Sequence, residues 1–267
     1  MDSNQFEIIR QAVRDRYGDI AKANSPSCGC SQPSGCCGSS RPAPDQVARA
    51  LGYTAKDLEG LPDGANMGLG CGNPKAIASL QPGETVLDLG SGGGFDCFLA
   101  ARQVGENGQV IGVDMTSDMV RKARENASKM GVTNVEFRLG EIEHLPVADG
   151  VVDVILSNCV INLSPEKLQV YREAFRVLKP GGRIAVSDVV AIAPLPASVR
   201  EDLAMLSACV GGAETVEGLE EILRKAGFEQ IRVQTQAESR KFIQEWVPGK
   251  GIEQFIASAN IQAVKGR

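Results

Sequence analysis

A single histidine, His144, stands in 267 residues, so no multi-histidine metal centre can form and any Ser-His-Asp relay would have to be built on that one ring. No run of about 20 apolar residues occurs, which excludes a membrane-spanning helix. The opening stretch, MDSNQFEIIRQAVRDRYGDI, lacks the basic start and apolar core of a secretory leader. The expected compartment is the cytoplasm, with no membrane partner. Basic blocks are missing as well: 28 Lys and Arg against 33 Asp and Glu give a net charge of −5, and no phosphate-binding stripe is formed, so nucleic acid is not an expected partner. Aromatic residues make up only 4% of the chain, which weighs against a large apolar acceptor pocket.

What the chain does carry is sulfur in unusual places. Eight cysteines are too few for a disulfide scaffold of this size, and in a reducing compartment they read as ligands, redox groups or buried fillers. Cys28, Cys30, Cys36 and Cys37 fall in NSPSCGCSQPSGCCGSSRPAP (24–44), a composition that cannot bury a core and predicts a mobile loop. Before it, Phe6, Ile9, Val13, Tyr17 and Ile20 repeat at steps of three and four, which predicts an amphipathic helix. After it, a weaker helical stretch near 45–58 leads into MGLGCGNP, where glycines on both sides of Cys71 imply a close approach of its backbone to another group.

From residue 84 the chain alternates strand and helix, with strands at 85–90, 109–114, 135–140, 151–158 and 183–190. This predicts an α/β fold, a doubly wound and mostly parallel sheet. KPGG (179–182) is expected to end the helix that Ser164 and Pro165 begin, and two more strands are expected at IRVQTQ and FIASANIQAVK. The first strand runs into Gly90-Ser91-Gly92-Gly93-Gly94-Phe95-Asp96, a turn that lets backbone N–H groups approach a ligand. A dinucleotide fingerprint would need glycine where Phe95 stands, and Asp88 and Asp96 would repel a pyrophosphate. Those acids suit a cationic or zwitterionic nucleoside, of which S-adenosylmethionine is one. Asp114 ends the second strand where an acid can accept from a ribose diol, Met115 can pack on adenine, and Glu141 and Ile142 fall on the same rim. Asn158 and Cys159 follow at the end of the fourth strand, whereas Cys97 reads as a filler and His144 as a structural or adenine-side residue rather than a base.

LDLGSGGGFD, VIGVDMT, LGEIEHLP and VLKPGG resemble the class I S-adenosylmethionine-dependent methyltransferases over roughly residues 66–190. GCGNP around Cys71, SNCVINLSP around Cys159, ACVGGA around Cys209, ESRKFIQEW and the cysteine-rich loop extend the resemblance, over nearly the whole chain, to the arsenite methyltransferases. That resemblance implies that Cys71, Cys159 and Cys209 hold trivalent arsenic, with a fourth thiol, Cys36 or Cys37, taking part in exchange or disulfide chemistry. It also implies a small-molecule substrate delivered as a thiol adduct, and glutathione or a thioredoxin-like partner as reductant. The expected layout is an N-terminal helical segment with the cysteine-rich loop (1–65), a Rossmann-like donor-binding domain (66–190) and a C-terminal α+β arsenic-binding extension (191–267). Two other readings are set against it: a methyltransferase for a quinone or sterol precursor, and a cysteine-based metal or metalloid binder without catalysis.

Overall fold

The computed structural model describes residues 3–22, 42–244, 246 and 251–267. Cys28, Cys30, Cys36 and Cys37, and with them the expected mobile loop, lie outside the described residues.

Helix α1 (Ser3–Lys22) is followed by the short helices α2 (Pro44–Ala50), α3 (Ala55–Leu58) and α4 (Pro74–Ala78). The weak helical stretch is two helices because Gly52 turns with φ +93° and Thr54 restarts the chain with a capping box to Asp57. Then come β1 (Thr85–Leu89), α5 (Phe95–Val104), β2 (Gln109–Asp114), α6 (Ser117–Met130), β3 (Val135–Leu139), β4 (Val152–Asn158), α7 (Lys167–Val177) and β5 (Leu178–Ala191). The C-terminal part holds α8 (Ala197–Arg200), α9 (Leu203–Leu206), α10 (Val216–Ala226), β6 (Phe228–Gln236), α11 (Arg240–Ile243) and β7 (Ile256–Lys265).

The seven strands among the described residues form one sheet in the order β3-β2-β1-β4-β5-β7-β6. The first five pair in parallel, and β7 enters antiparallel between β5 and β6. The two C-terminal strands therefore complete the main sheet. Alternation along the strands feeds two cores: Val86, Val110 and Val154 face α5 and α6 through Phe98, Val104 and Val120, while Leu87, Ile111 and Ile155 face α7 and α10 through Tyr171, Val177 and Leu223.

Two boundaries differ from expectation. KPGG does not close a helix: α7 stops at Val177, Leu178 already pairs with Val152, and the register slips before Val154 pairs with Arg183. Pro180 has no ladder N–H to give and Gly181 sits at φ +81°, so the motif is a bulged strand entry. Ser164 and Pro165 precede the helix proper, since Lys167 is its first residue and the Ser164 hydroxyl accepts from the Glu166 N–H at 3.1 Å.

The order of the strands reverses between β1 and β4, with β2 on one side of β1 and β4 on the other. Crevices beyond the carboxyl ends of strands at such a reversal are where open α/β sheets hold ligands.

Candidate active site

The glycine turn after β1 is pinned by two bonds to one carbonyl, Gly90 N–H at 2.8 Å and Ser91 N–H at 3.0 Å from Val113 O. Gly90 has φ +72°, and a Cβ there would lie 2.3 Å from the Val160 side chain, so only glycine lets β4's end close over the turn. Asp114 accepts from the Gly92 N–H and the Thr116 N–H, both at 2.9 Å, and the Thr116 hydroxyl also favours its carboxylate, which leaves acceptor capacity for a diol. Asp88, buried at 3% exposure, accepts from the Cys97 thiol at 3.2 Å. Asp96 accepts from the Tyr53 hydroxyl at 2.6 Å and from the Asn158 amide at 3.1 Å.

These three carboxylates line one cleft together with Gly90, Ser91, Gly92, Met115, Ile142, Asn158 and Cys159. Burial pushes all three carboxyls above the usual range, and for Asp88 the neighbouring Asp96 adds to it. None of the three is in an ion pair among the described residues, and the buried Ser91 hydroxyl has no partner there. A ligand carrying positive charge and hydrogen-bonding groups fits that donor set.

Glu141 is the exception among the expected cofactor residues. Its carboxylate turns to Arg14 of α1 at 2.8 Å and to Arg10 at 3.9 Å, and it is not part of the cleft lining. Glu143, two residues on, lines the cleft instead; it is 3% exposed, accepts from the Ser164 hydroxyl at 2.5 Å and faces Arg10 at 3.5 Å. Two acids one residue apart in the same turn cannot be told apart by spacing alone. Arg10, Val13, Tyr17, Tyr53 and Met67 also line the cleft and were not anticipated, because their elements precede the strand–helix alternation in sequence.

Beside the cleft lies the sulfur cluster. Cys71, Cys159 and Cys209 are 1%, 5% and 3% exposed and belong to one buried apolar cluster with Val13, Val189, Met205 and Ile256. The Cys71 N–H donates to Asn158 Oδ1 at 3.0 Å, the Ser258 hydroxyl donates to Cys71 O at 2.7 Å, and Cys71 Sγ approaches Ser187 O at 3.5 Å. A Cβ at Gly72 would meet the Ser187 side chain at 2.6 Å, which is the close approach its glycines foretold. Asn158 thus ties the donor cleft, through Asp96, to the backbone of Cys71.

Cys159 N–H donates to Ser187 O at 2.8 Å, and the Cys209 thiol donates to Cys159 O at 2.7 Å. The Cys159 thiol interacts with those of both Cys71 and Cys209, and the Tyr17 hydroxyl interacts with Cys209. Asp188, 3% exposed, completes the cluster: one of its oxygens and the sulfurs of Cys71 and Cys159 lie within 4.8 Å of one another. Burial pushes the Cys71 thiol up to about 11. The Cys209 contact favours the Cys159 thiolate, but Cys71 and burial outweigh it; the Cys159 contact and burial raise Cys209. All three therefore stand as thiols at neutral pH.

The sheet order, the glycine turn and the acids beyond β1 and β2 define a class I S-adenosylmethionine-dependent methyltransferase. Residues 80–227 match a family model described as a methyltransferase domain. The chain is 52% identical over 264 residues to an arsenite methyltransferase of Halobacterium salinarum, covering 97% of this chain and 67% of that protein. It is 36% identical over 230 residues to that of Homo sapiens, covering 82% of this chain and 58% of the human one. Among solved structures it resembles CrArsM, an arsenic(III) S-adenosylmethionine methyltransferase from Chlamydomonas reinhardtii, with a TM-score of 0.60, 33% identity and coverage of 85% of this chain and 75% of that one. The chain belongs to the arsenite methyltransferase family. It spans about two thirds of the Halobacterium relative and less of the human one. No helix among the described residues is long and apolar enough to cross a membrane.

Proposed function

We propose that this chain methylates trivalent arsenic, held by Cys71, Cys159 and Cys209, with S-adenosylmethionine as methyl donor. The observation that carries the reading is the meeting of three thiols, from three separate stretches of chain, in one buried cluster whose middle member, Cys159, also lines the cleft. Protonated thiols are competent for loading: each one condenses with an arsenic hydroxyl or displaces a thiol of an adduct, forming As–S and releasing water or the free thiol. Three soft sulfurs suit a soft centre and leave the arsenic lone pair directed away from them. Bound S-adenosylmethionine would supply a sulfonium methyl, the electrophile that this lone pair attacks. Asp114 serves the ribose, Met115 and Ile142 the adenine, and Asp88, Asp96, Ser91 and Asn158 the polar remainder. No general base is needed, so a single histidine is no handicap; what the protein supplies is position.

Methylation takes arsenic formally from trivalent to pentavalent, so thiols must return two electrons before another round. Cys36 or Cys37 with a core cysteine, then glutathione or a thioredoxin-like protein, is the proposed route. In this reading residues 66–190 bind the donor, while 191–267 bring Cys209 over the acceptor and 1–65 bring α1 and the exchanging thiol.

The test is turnover of Cys71→Ser, Cys159→Ser and Cys209→Ser with arsenite and with monomethylarsonous acid. A methylated substrate offers only two exchangeable positions, so Cys159 and Cys209 are expected to be needed for both substrates and Cys71 chiefly for arsenite. A misplacement of about 1 Å can cost on the order of 100-fold in rate, so loss of Cys159 should abolish turnover. Near wild-type rates on both substrates in folded Cys159→Ser would overturn the arsenic site and favour an organic acceptor.

A further inference from the structure

Asp188 is a carboxylate in a site otherwise built of sulfur, and arsenic(III) has no need of it. Its oxygens accept from the Val189 N–H at 2.8 Å, the Asn162 amide at 3.0 Å and the Asn162 N–H at 3.2 Å. The Ile161 N–H also favours the carboxylate, so these partners use up about the four lone-pair positions of a carboxylate and a cation would share an oxygen with them; the carboxyl lies against Cys71 and Cys159. No ion pair engages it among the described residues; Lys167 acts on it only at longer range. We infer that the cluster Cys71, Cys159 and Asp188 is also a binding site for a borderline-soft divalent cation, Zn2+ or Cd2+.

The geometry suits such an ion. Zinc takes sulfur at about 2.3 Å and carboxylate oxygen at about 2.0–2.2 Å in a tetrahedron, which sets its sulfurs about 3.8 Å apart. The three donors already lie within 4.8 Å of one another, so side-chain rotation closes the site. Access is through the cleft that Cys159 lines. Two thiolates and a carboxylate neutralise a divalent ion and leave one negative charge, on the side where Lys167 stands. Arsenic(III), pyramidal and thiophilic, uses only the sulfurs; the tetrahedral cation recruits the oxygen. The two occupants therefore share sulfurs, compete, and differ at Asp188.

Their proton balance differs too. Each thiol that coordinates Cd2+ gives its proton to solvent, whereas each thiol that condenses with arsenous acid forms As–S and releases water with no net proton. Titration of the reduced protein with Cd2+ alone, in a variant whose Cys28, Cys30, Cys36 and Cys37 are all Ser, reads both differences. Expected are one ion per chain, a thiolate-to-cadmium absorption band, release of two protons, and a 113Cd chemical shift of a mixed sulfur and oxygen site. Arsenite titrated into the same protein should release none and should be displaced by Cd2+.

Losing a partner outside the ligand shell commonly costs 10–100-fold in metal affinity, so loss of a direct ligand in Asp188→Asn should weaken Cd2+ by about tenfold or more while arsenite binding stays within a few-fold. Should Asp188→Asn fail to fold, the 113Cd shift of the parent decides, since an all-sulfur shift excludes the carboxylate. The inference is overturned by arsenite binding without Cd2+ binding, by loss of Cd2+ binding when the four N-terminal cysteines are replaced, or by equal weakening of both ligands in a folded Asp188→Asn. Because Cd2+ binding is read without arsenic or turnover, its failure leaves the arsenic reading standing, and failure of the latter leaves the cation site intact.

Discussion

Cys159 and Cys209 sit at φ +61° and +63°, a region that side chains with a Cβ enter only at a cost of order 1–3 kcal/mol. Both are held there by neighbours. Cys159 is pulled by its bond to Ser187 O, and the stretch after Cys209 presses on the turn 161–163, where a Cβ on Gly212 would lie 2.1 Å from Asn162 O. Such backbone turns the thiols inward where an extended strand end would carry them past one another. The strain is testable by truncation. In most positions glycine is less stable than alanine by about 0.5–1 kcal/mol; at position 209 the order should invert, with Cys209→Gly more stable than Cys209→Ala by about 1 kcal/mol in urea unfolding, and neither binding arsenite. If Cys209→Ala is the more stable of the two, the left-handed backbone at that position carries no strain.

At the scale of elements, α1 acts as a strap across the cleft. Arg10, Val13 and Tyr17 line it, and the helix is held by Arg10 to Glu166 at 2.5 Å and to Glu143 at 3.5 Å, and by Arg14 to Glu141 at 2.8 Å. Surface ion pairs contribute little, but Arg10 and Glu143 have side chains only 13% and 4% exposed, and removing one member of a buried pair strands the other. Arg10→Ala should weaken docking of α1 by on the order of 2 kcal/mol. The expected readouts are weaker S-adenosylmethionine binding in calorimetry and faster proteolysis within 3–22, with the sheet's melting little changed. Unchanged donor affinity would show that α1 only adjoins the cleft.

For the whole molecule, the sulfur cluster makes stability depend on pH and on what fills it. Cys71 titrates near 11 when folded against 9.0 for a free thiol, so between those values the folded chain holds a proton that the unfolded chain has lost. Stability then falls as pH rises, by about 3 kcal/mol from Cys71 over the two units. Asp188, raised by burial to about 6 from 3.8, gives the same sign in its lower window: its contribution is complete below about 4 and lost as pH rises through about 6. Arsenite should remove the alkaline decline, because arsenic–sulfur bonds leave no thiol to ionise. Urea midpoints from pH 8 to 11 check this, and a decline of equal size in Cys71→Ala would assign it elsewhere.

The amino-acid sequence by itself determined the sheet and the cleft. Strand alternation, the glycine turn before Phe95 and the acids at strand ends are local patterns, read within a few residues of the atoms they position, and β2 was legible to the residue. Small or glycine neighbours marked Cys71 and Cys209, since such neighbours are a local record of crowding, and the end of the fourth strand marked Cys159. Tertiary structure alone decided which of Glu141 and Glu143 faces the cleft, that KPGG enters a strand, and that Asp188, Tyr17 and α1 reach the sulfur cluster. Those facts depend on contacts between separate segments, some of them over a hundred residues apart, such as Arg14 with Glu141 or Cys71 with Ser187. No spacing along the chain encodes such contacts; they exist only once the two sheet faces have been buried.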